Sequence, residues 1–218
     1  MLKNADIASP RVYHRPCAMF LPYQKSMKNI LIINGHPNRE SFNFGVAAAY
    51  KNGAEKAGAT VKEVVIADLK FNPNLQFGYQ KKTELEPDLL HAWEKIKWAD
   101  HLVWVHPVWW GGLPAITKGF IDRLFLPGFA FKYRENSVWW DKLLAGKSGH
   151  IITTLDQPSW YYWFKYGRPS VNQLKKATLE FCGVTPVKVT YLGVVKTADT
   201  ALREKWLNRV VEIGKKLR

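Results

Sequence analysis

The sequence has few cysteines and no long apolar run, and each absence excludes a class of protein. Its 218 residues contain only Cys17 and Cys182, which excludes a disulfide framework and is typical of a reducing cytoplasm. No apolar run approaches the roughly 18–20 residues of a membrane-spanning helix. Residues 1–26 also lack the apolar stretch of roughly 7–15 residues that signal peptides contain, so we expect a cytoplasmic protein.

The motifs of metal, nucleotide and nucleophile chemistry are absent as well. The sequence has no HExxH and no paired CxxC. His101 and His106 are five residues apart on an apparent strand, which points them to opposite faces, so we expect no metal site. The sequence also lacks G-x-G-x-x-G, the Walker A loop and the G-x-S-x-G elbow. Any chemistry must therefore come from a bound cofactor.

The sequence does contain an excess of positive charge and of aromatic side chains. Its 32 Lys and Arg residues outnumber 18 Asp and Glu, which gives a formal net charge of +14. This charge favours an anionic partner, either a phosphate-bearing cofactor or a nucleic acid, but its even spread fits a solvated surface equally well. The 10 Trp, 9 Tyr and 11 Phe exceed what one core needs, so we expect some to line a pocket or an interface.

Five short apolar runs alternate with segments of helical period. The predicted strands are 29–34, 61–66, 101–106, 150–154 and 187–193, and the predicted helices are 42–57, 88–98, 114–125, 170–182 and 199–217. This alternation predicts an α/β protein with a flavodoxin-like three-layer fold and a five-stranded parallel sheet of order 2-1-3-4-5. We assign residues 27–218 to this domain and residues 1–26 to an N-terminal extension that we expect to be poorly ordered.

Two loops lie where such a sheet binds ligands, beyond the carboxyl ends of its first and third strands. The first loop, residues 35–43, leads into a helix whose free N–H groups suit a phosphate. Ser41 and Asn43 are placed to cap that helix. An ordinary turn with a helix cap would also explain this loop.

The second loop, VHPVWWGGLP at residues 105–114, places large flat side chains next to glycines. Gly111 and Gly112 can adopt positive φ and bring backbone amides close to a ligand. Trp109 and Trp110 offer flat apolar surface beside them. An aromatic heterocycle needs both a wall and nearby donors, whereas core packing beneath a tight turn is the alternative.

The fourth predicted strand ends at the same edge of the sheet. Thr153 and Thr154 place hydroxyls there, and the aromatic run 160–163 follows after a turn. Because consecutive aromatic side chains cannot all face one core, we expect some of them to line a pocket or to pack across a dimer.

From about Lys28 to Lys216 the sequence resembles the flavodoxin-like NAD(P)H:quinone oxidoreductase family, of the DT-diaphorase and modulator-of-drug-activity type. The matching pieces include ILIINGHPNRESFN, TT at 153–154 and FCG at 181–183. The most specific piece is HPVWWGGLPAITKGFIDRLFLPGFAF, which begins at His106.

The resemblance implies a flavoprotein that takes hydride from NAD(P)H and passes two electrons to a quinone-type acceptor in a ping-pong sequence. It also implies a homodimer with active sites at the interface. We favour FAD, since the aromatic-rich segment 157–167 could form a wall on the adenine side, and FMN is the alternative.

By position, the resemblance also assigns the site residues. Contacts to the flavin phosphate and ribityl chain fall on His36, Ser41, Phe42 and Asn43. Contacts to the ring fall on Pro107, Val108, Trp109, Trp110, Gly111, Thr153 and Thr154. The substrate pocket is assigned to Gly112, Phe131 and Tyr133, the last two supplied by the other subunit of the dimer.

The sequence departs from DT-diaphorase in two places. Leu155 and Asp156 replace a second glycine pair, and the downstream histidine that would neutralise the reduced flavin has no counterpart. Tyr161 is the candidate for its companion tyrosine, which would act catalytically as a neutral donor.

Two other functions are compatible with the sequence. One is a flavin-binding regulatory subunit of a membrane potassium-efflux system, which would have a membrane-protein partner. The other is a basic nucleic-acid-binding module that stacks bases on its aromatic side chains. We expect the oxidoreductase, and so no nucleic-acid partner.

Overall fold

A parallel sheet with helices on both faces forms the centre of the computed structural model, which describes residues 28–81 and 83–216. The extension that we assign to residues 1–26 lies outside the described residues. The strands are β1 (Asn29–Asn34), β2 (Thr60–Val65), β3 (His101–Pro107), β4 (Phe131–Tyr133), β5 (Trp140–Lys142), β6 (Ser148–Leu155) and β7 (Val187–Gly193). The α-helices are α1 (Phe42–Lys56), α2 (Pro87–Trp98), α3 (Ala115–Leu124), α4 (Ser159–Phe164), α5 (Pro169–Asn172) and α6 (Thr200–Lys215), with a π-helix at Gln173–Glu180.

The order of the main sheet is β2-β1-β3-β6-β7, and each neighbouring pair is parallel. The predicted flavodoxin-like order is therefore confirmed. The winding direction reverses between β1 and β3, so a crevice opens beyond their carboxyl ends.

Alternate side chains of the buried strands pack against the two helical layers. On β3, Val103 and Val105 belong to the cluster under α1 and α6, whereas Leu102 and Trp104 belong to the cluster under α2 and α3. Both sets are fully buried, which explains why this strand reads as a continuous apolar run. No helix in the described ranges is long and apolar enough to cross a membrane.

The histidines of β3 follow the same alternation. His101 stacks on Tyr50 of α1, with ring centroids 6.4 Å apart, and His106 lies an odd number of residues away, on the other face. Within residues 28–81 and 83–216 no group of three or more His, Cys, Asp or Glu side chains could hold a metal ion.

Acid should destabilise the fold through these buried histidines. Burial lowers the pKa of His101 to about 3 and that of His106 to about 4, so both stay neutral when folded but become charged in the unfolded chain below pH about 6.5. Stability is therefore complete above that pH and falls as the pH drops toward 4. At pH about 5 each histidine should lower the free energy of unfolding by roughly 2 kcal/mol.

Urea unfolding of the full chain at pH 7 and pH 5 measures this loss. The His101→Gln variant should lose less stability than wild type between the two pH values, by roughly 2 kcal/mol. An equal loss in both proteins would contradict the assignment to His101.

Candidate functional site

A pocket opens at the carboxyl ends of β1, β3 and β6, beside the N-terminus of α1. Its lining residues are His36, Ser41, Phe42, Asn43, Pro107, Val108, Trp109, Thr154, Leu155, Asp156 and Val195. Most of the residues that the sequence assigns to cofactor contacts thus lie together here. Trp110, Gly111 and Thr153 are also assigned to the cofactor but are not part of this lining.

The N-terminus of α1 presents unused donors to the pocket. Ser41 is the N-cap residue, but its side chain makes no capping bond, and its buried hydroxyl has no partner among the described residues. The N–H groups of Phe42 and Asn43 likewise find no acceptor in the described part of the chain. These donors and the positive end of the helix dipole form a site for an anion such as a phosphate.

Ser41 occupies the predicted N-cap position of α1, but neither its side chain nor that of Asn43 makes a capping bond. The Asn43 amide is buried and donates instead to Thr154 Oγ1, 3.0 Å away. This bond ties the first turn of α1 to the end of β6. The sequence could not show this contact, because the two residues are 111 positions apart.

His36 lies at the mouth of the pocket with a fixed ring orientation. Its Nδ1 accepts a hydrogen bond from the Asn38 N–H at 3.0 Å, and partial burial lowers its pKa. The neutral ring therefore carries its proton on Nε2 and can donate to a ligand. The edge of this ring meets Trp109, with centroids 5.5 Å apart.

The tryptophan–glycine stretch folds into a tight turn. Trp109 and Gly112 exchange two backbone hydrogen bonds, at 3.1 and 2.8 Å. The central residues, Trp110 and Gly111, have φ of 50° and 75°, the pattern of a type I′ turn. Gly111 meets this requirement without strain, whereas Trp110 does not. The turn leaves Trp109 in the pocket lining and Trp110 fully exposed at the tip.

Replacing Trp110 with asparagine should make the protein more stable. Asparagine tolerates the left-handed conformation better than tryptophan, so the free energy of unfolding should rise by about 1 kcal/mol. Urea unfolding of both proteins at pH 7 measures this change, and an unchanged free energy of unfolding would show that the tryptophan is not strained at this position.

The two threonines at the end of β6 point to opposite faces. Thr154 faces α1 and bonds to Asn43, whereas the hydroxyl of Thr153 lies 3.5 Å from His106 Nδ1 on the other side of the sheet. Of the two predicted contacts, only Thr154 faces the pocket.

The aromatic run after β6 supports the turn from outside the pocket. The buried hydroxyl of Tyr162 donates to Gly111 O at 3.0 Å and accepts from the Ser170 N–H at 3.1 Å. Tyr161, the predicted catalytic residue, packs instead against Trp160 and Tyr166 and is partly exposed outside the pocket lining. Sequence reasoning missed Tyr162, because neighbouring aromatic residues look alike without the backbone direction.

The residues assigned to the substrate pocket do not lie together within a single chain. Phe131 and Tyr133 lie in the β4–β5 hairpin and line a separate cavity with Phe181 and Cys182. Gly112 is not part of the lining of the first pocket. A single chain therefore does not assemble the predicted substrate site.

The pocket as a whole fits part of a flavin. The donors at the N-terminus of α1 suit a phosphate, and Phe42, Val108 and Trp109 suit a flat apolar ring. The orphaned Ser41 hydroxyl is the specific sign that an acceptor belongs there. The enclosed volume is about 140 Å³, below the roughly 300–1,000 Å³ of typical ligand pockets, so one chain covers only part of such a ligand.

Fold and site together define an α/β protein with a ligand pocket at the switch point of its sheet. A family model described as a flavodoxin-like fold matches residues 28–213. The chain belongs to that family.

The chain is similar over most of its length to several known proteins, two of which are named as quinone oxidoreductases. NAD(P)H dehydrogenase [quinone] 1 of Cavia porcellus is 28% identical, over 86% of this chain and 78% of its own. The NAD(P)H:quinone oxidoreductase from Methanothermobacter marburgensis superposes with a TM-score of 0.73 at 25% identity, covering 88% of this chain and 98% of its own. Smu.1420 from Streptococcus mutans UA159 superposes with a TM-score of 0.76 at 34% identity, covering 86% and 99%.

Proposed function

We propose that this protein is a cytoplasmic flavin-dependent oxidoreductase that transfers hydride from NAD(P)H through a bound flavin to a quinone-type acceptor. The observation that carries the proposal is the set of unpartnered donors at Ser41 and the start of α1, next to the apolar surface of Trp109. The relatives named as NAD(P)H:quinone oxidoreductases support the same reaction class.

Each part of the pocket has a role in this reaction. The start of α1 binds the phosphate nearest the ribityl chain, and His36 Nε2 adds a neutral donor. Trp109 and Val108 hold the ring and exclude water from one face. The flavin itself supplies the two-electron chemistry, so no protein side chain needs to act as a nucleophile.

We propose FAD as the cofactor, because cationic and aromatic side chains extend the phosphate end of the pocket. Arg203 lies 5.8 Å from the Phe42 ring and donates to Val195 O at 3.1 Å. Trp206 packs near Phe42, with centroids 6.1 Å apart. Arg203 can bind a second phosphate, and the two aromatic rings can stack on an adenine.

We also propose a homodimer in which each subunit completes the other's site. The pocket of one chain is small, Trp110 is exposed, and Tyr133 projects from the hairpin with 60% of its surface exposed. A second copy that brings Tyr133 over the ring would enclose the ligand, whereas Phe131 is buried in the core of its own chain.

Anaerobic stopped-flow spectroscopy tests the reaction. NADPH or NADH should bleach the flavin of the loaded protein, and a quinone added in a second mixing step should restore the colour. Parallel double-reciprocal lines in steady state are expected for the ping-pong sequence. If the flavin binds but neither NADPH nor NADH reduces it, the protein binds flavin without catalysing the reaction, and the proposed oxidoreductase function is contradicted.

Asp156 should lower the reduction potential of the bound flavin. It is the one carboxylate among the described residues that line the pocket, and a fixed negative charge opposes the charge that develops on reduction. Its Oδ1 accepts from the Lys196 N–H at 2.8 Å, a bond that Asn can keep. The Asp156→Asn variant should therefore raise the potential by roughly 15–30 mV, equal to about a three- to tenfold change in the reduction equilibrium. Spectroelectrochemical titration measures this shift, and an unchanged potential would show that the carboxylate does not act on the ring.

A further inference from the structure

The strand at one end of the main sheet has a free edge. Among the described strands β7 pairs only with β6, because it is the last strand in the order. The bond from Gly149 N–H to Pro186 O fixes which residues of β7 face β6, since alternate residues bond to the same side in a parallel pair. Lys188 and Thr190 thus face β6, whereas Val189 and Tyr191 turn their backbone N–H and C=O groups outward. These outward groups have no backbone partner in the described part of the chain.

A groove follows this edge between the two helical layers. It is lined along the strand by residues 187–191 and encloses about 630 Å³. Ile213 and Lys216, at the end of α6, form one wall, and Lys175 of the π-helix lies on the other. We call this feature the edge groove. It occupies the position that a sixth strand would take, and it shares no lining residue with the flavin pocket.

The charged side chains of the edge groove are all cationic. Arg168, Lys175, Lys188 and Lys216 converge on it from four separate segments, and none of the described residues that line it is a carboxylate. Of these four, only Lys175 has an ion-pair contact within the described residues, at 3.8 Å from Glu180. Four cations around an unpaired strand edge favour an extended partner that carries acidic side chains.

We propose that the edge groove binds an acidic, extended peptide segment of a partner protein, which adds to the sheet beside β7. Residues 187–191 would pair with about five residues of the peptide over roughly 17 Å. Its backbone would meet the outward groups of Val189 and Tyr191, and its carboxylates would meet the flanking cations.

Two other occupants fit the edge groove less well. A second copy pairing through its own β7 would place Lys188 and Lys216 against their like-charged equivalents, which destabilises a strand pair. A nucleic acid satisfies the cations, but it lacks the regular row of N–H donors and carbonyl acceptors that pairs with a strand edge. Lysine side chains on a strand edge also disfavour pairing with neutral strands, so an acidic strand is the favoured partner.

Binding of labelled hexapeptides to the full chain tests the proposal. The peptide Glu-Val-Glu-Val-Glu-Val should bind at least tenfold tighter than Lys-Val-Lys-Val-Lys-Val, measured by fluorescence anisotropy. The double variant Lys188→Glu, Lys216→Glu should weaken binding of the acidic peptide at least tenfold. The matched control Lys51→Glu, Lys56→Glu changes the same charge on α1 and should leave binding unchanged. Failure of the acidic peptide to bind, or an equal loss in both double variants, overturns the proposal.

Hydrogen exchange separates strand addition from charge attraction alone. The Val189 and Tyr191 amides should exchange at least tenfold more slowly with the acidic peptide bound, while exchange in β1 is unchanged. Binding without this protection overturns strand addition. Two other outcomes would also overturn the proposal. One is a single-stranded RNA that binds more tightly than the peptide and loses affinity in the Lys188→Glu, Lys216→Glu variant, which would assign the edge groove to nucleic acid. The other is self-association of the protein that the same double variant abolishes, which would assign the edge groove to a second copy.

Discussion

Replacing Ser41 with aspartate is expected to weaken flavin binding about a hundredfold or more while the fold becomes no less stable. The Ser41 hydroxyl, at the N-cap of α1, is buried without a partner among the described residues. An aspartate there would accept from the free N–H groups of the helix and favour its positive end, which stabilises the helix. The same carboxylate would occupy the anion site and repel the flavin phosphate, at a cost of several kcal/mol.

A flavin titration followed by fluorescence quenching gives the affinity, and thermal unfolding of the flavin-free protein gives the stability. Ser41→Ala is the matched control. It removes one donor without adding charge and should cost about tenfold in affinity. Unchanged affinity in the aspartate variant would place the phosphate elsewhere, whereas a loss of both affinity and stability would indicate simple damage to the helix.

Replacing Arg123 with methionine should destabilise the protein by about 3–5 kcal/mol, a large share of the roughly 5–15 kcal/mol that holds a typical domain together. The Arg123 side chain is 1% exposed and lies on α3. It forms an ion pair with Glu86 at 2.8 Å and donates to Glu84 O at 2.9 Å and to Asn72 O. Methionine fills similar space but removes the donor to Glu84 O and Asn72 O and the counter-charge of Glu86.

Urea unfolding at pH 7 measures this loss as a lower midpoint with an unchanged slope. The control Glu86→Gln keeps the Oε1 acceptor for Arg123 Nη1 and for the Asn72 N–H but loses the Oε2 acceptor of Arg123 Nη2, so it should cost about 1.5–3 kcal/mol, less than the methionine variant. Equal losses in the two variants would mean that the ionic charge, and not the hydrogen bonds to the loop, carries the stabilisation.

The sequence was sufficient to predict the sheet because each central strand is buried on both faces. The runs at 29–34 and 187–193 coincide with β1 and β7, and the alternation with helices determined the strand order. The short β4–β5 hairpin and helix α4 were not predicted. Three- and six-residue elements carry too little periodicity to stand out from loops.

The position of the pocket was predictable for the same reason, but the orientation of its side chains was not. Strand order places both loops at the switch point, so His36, Trp109 and Thr154 come together as expected. Which tryptophan enters the pocket depends on the type I′ turn, and the partner of Asn43 depends on a contact across the sheet. Neither is encoded in local spacing.

The absorbance spectrum of the purified full chain, after incubation with FAD or FMN and removal of the excess, tests the central claim most directly. The account predicts a yellow protein with about one FAD per chain, and a Ser41→Asp preparation that remains colourless. If the wild-type protein stays colourless with both flavins while circular dichroism shows an intact fold, the flavin site and the oxidoreductase function inferred from it are contradicted.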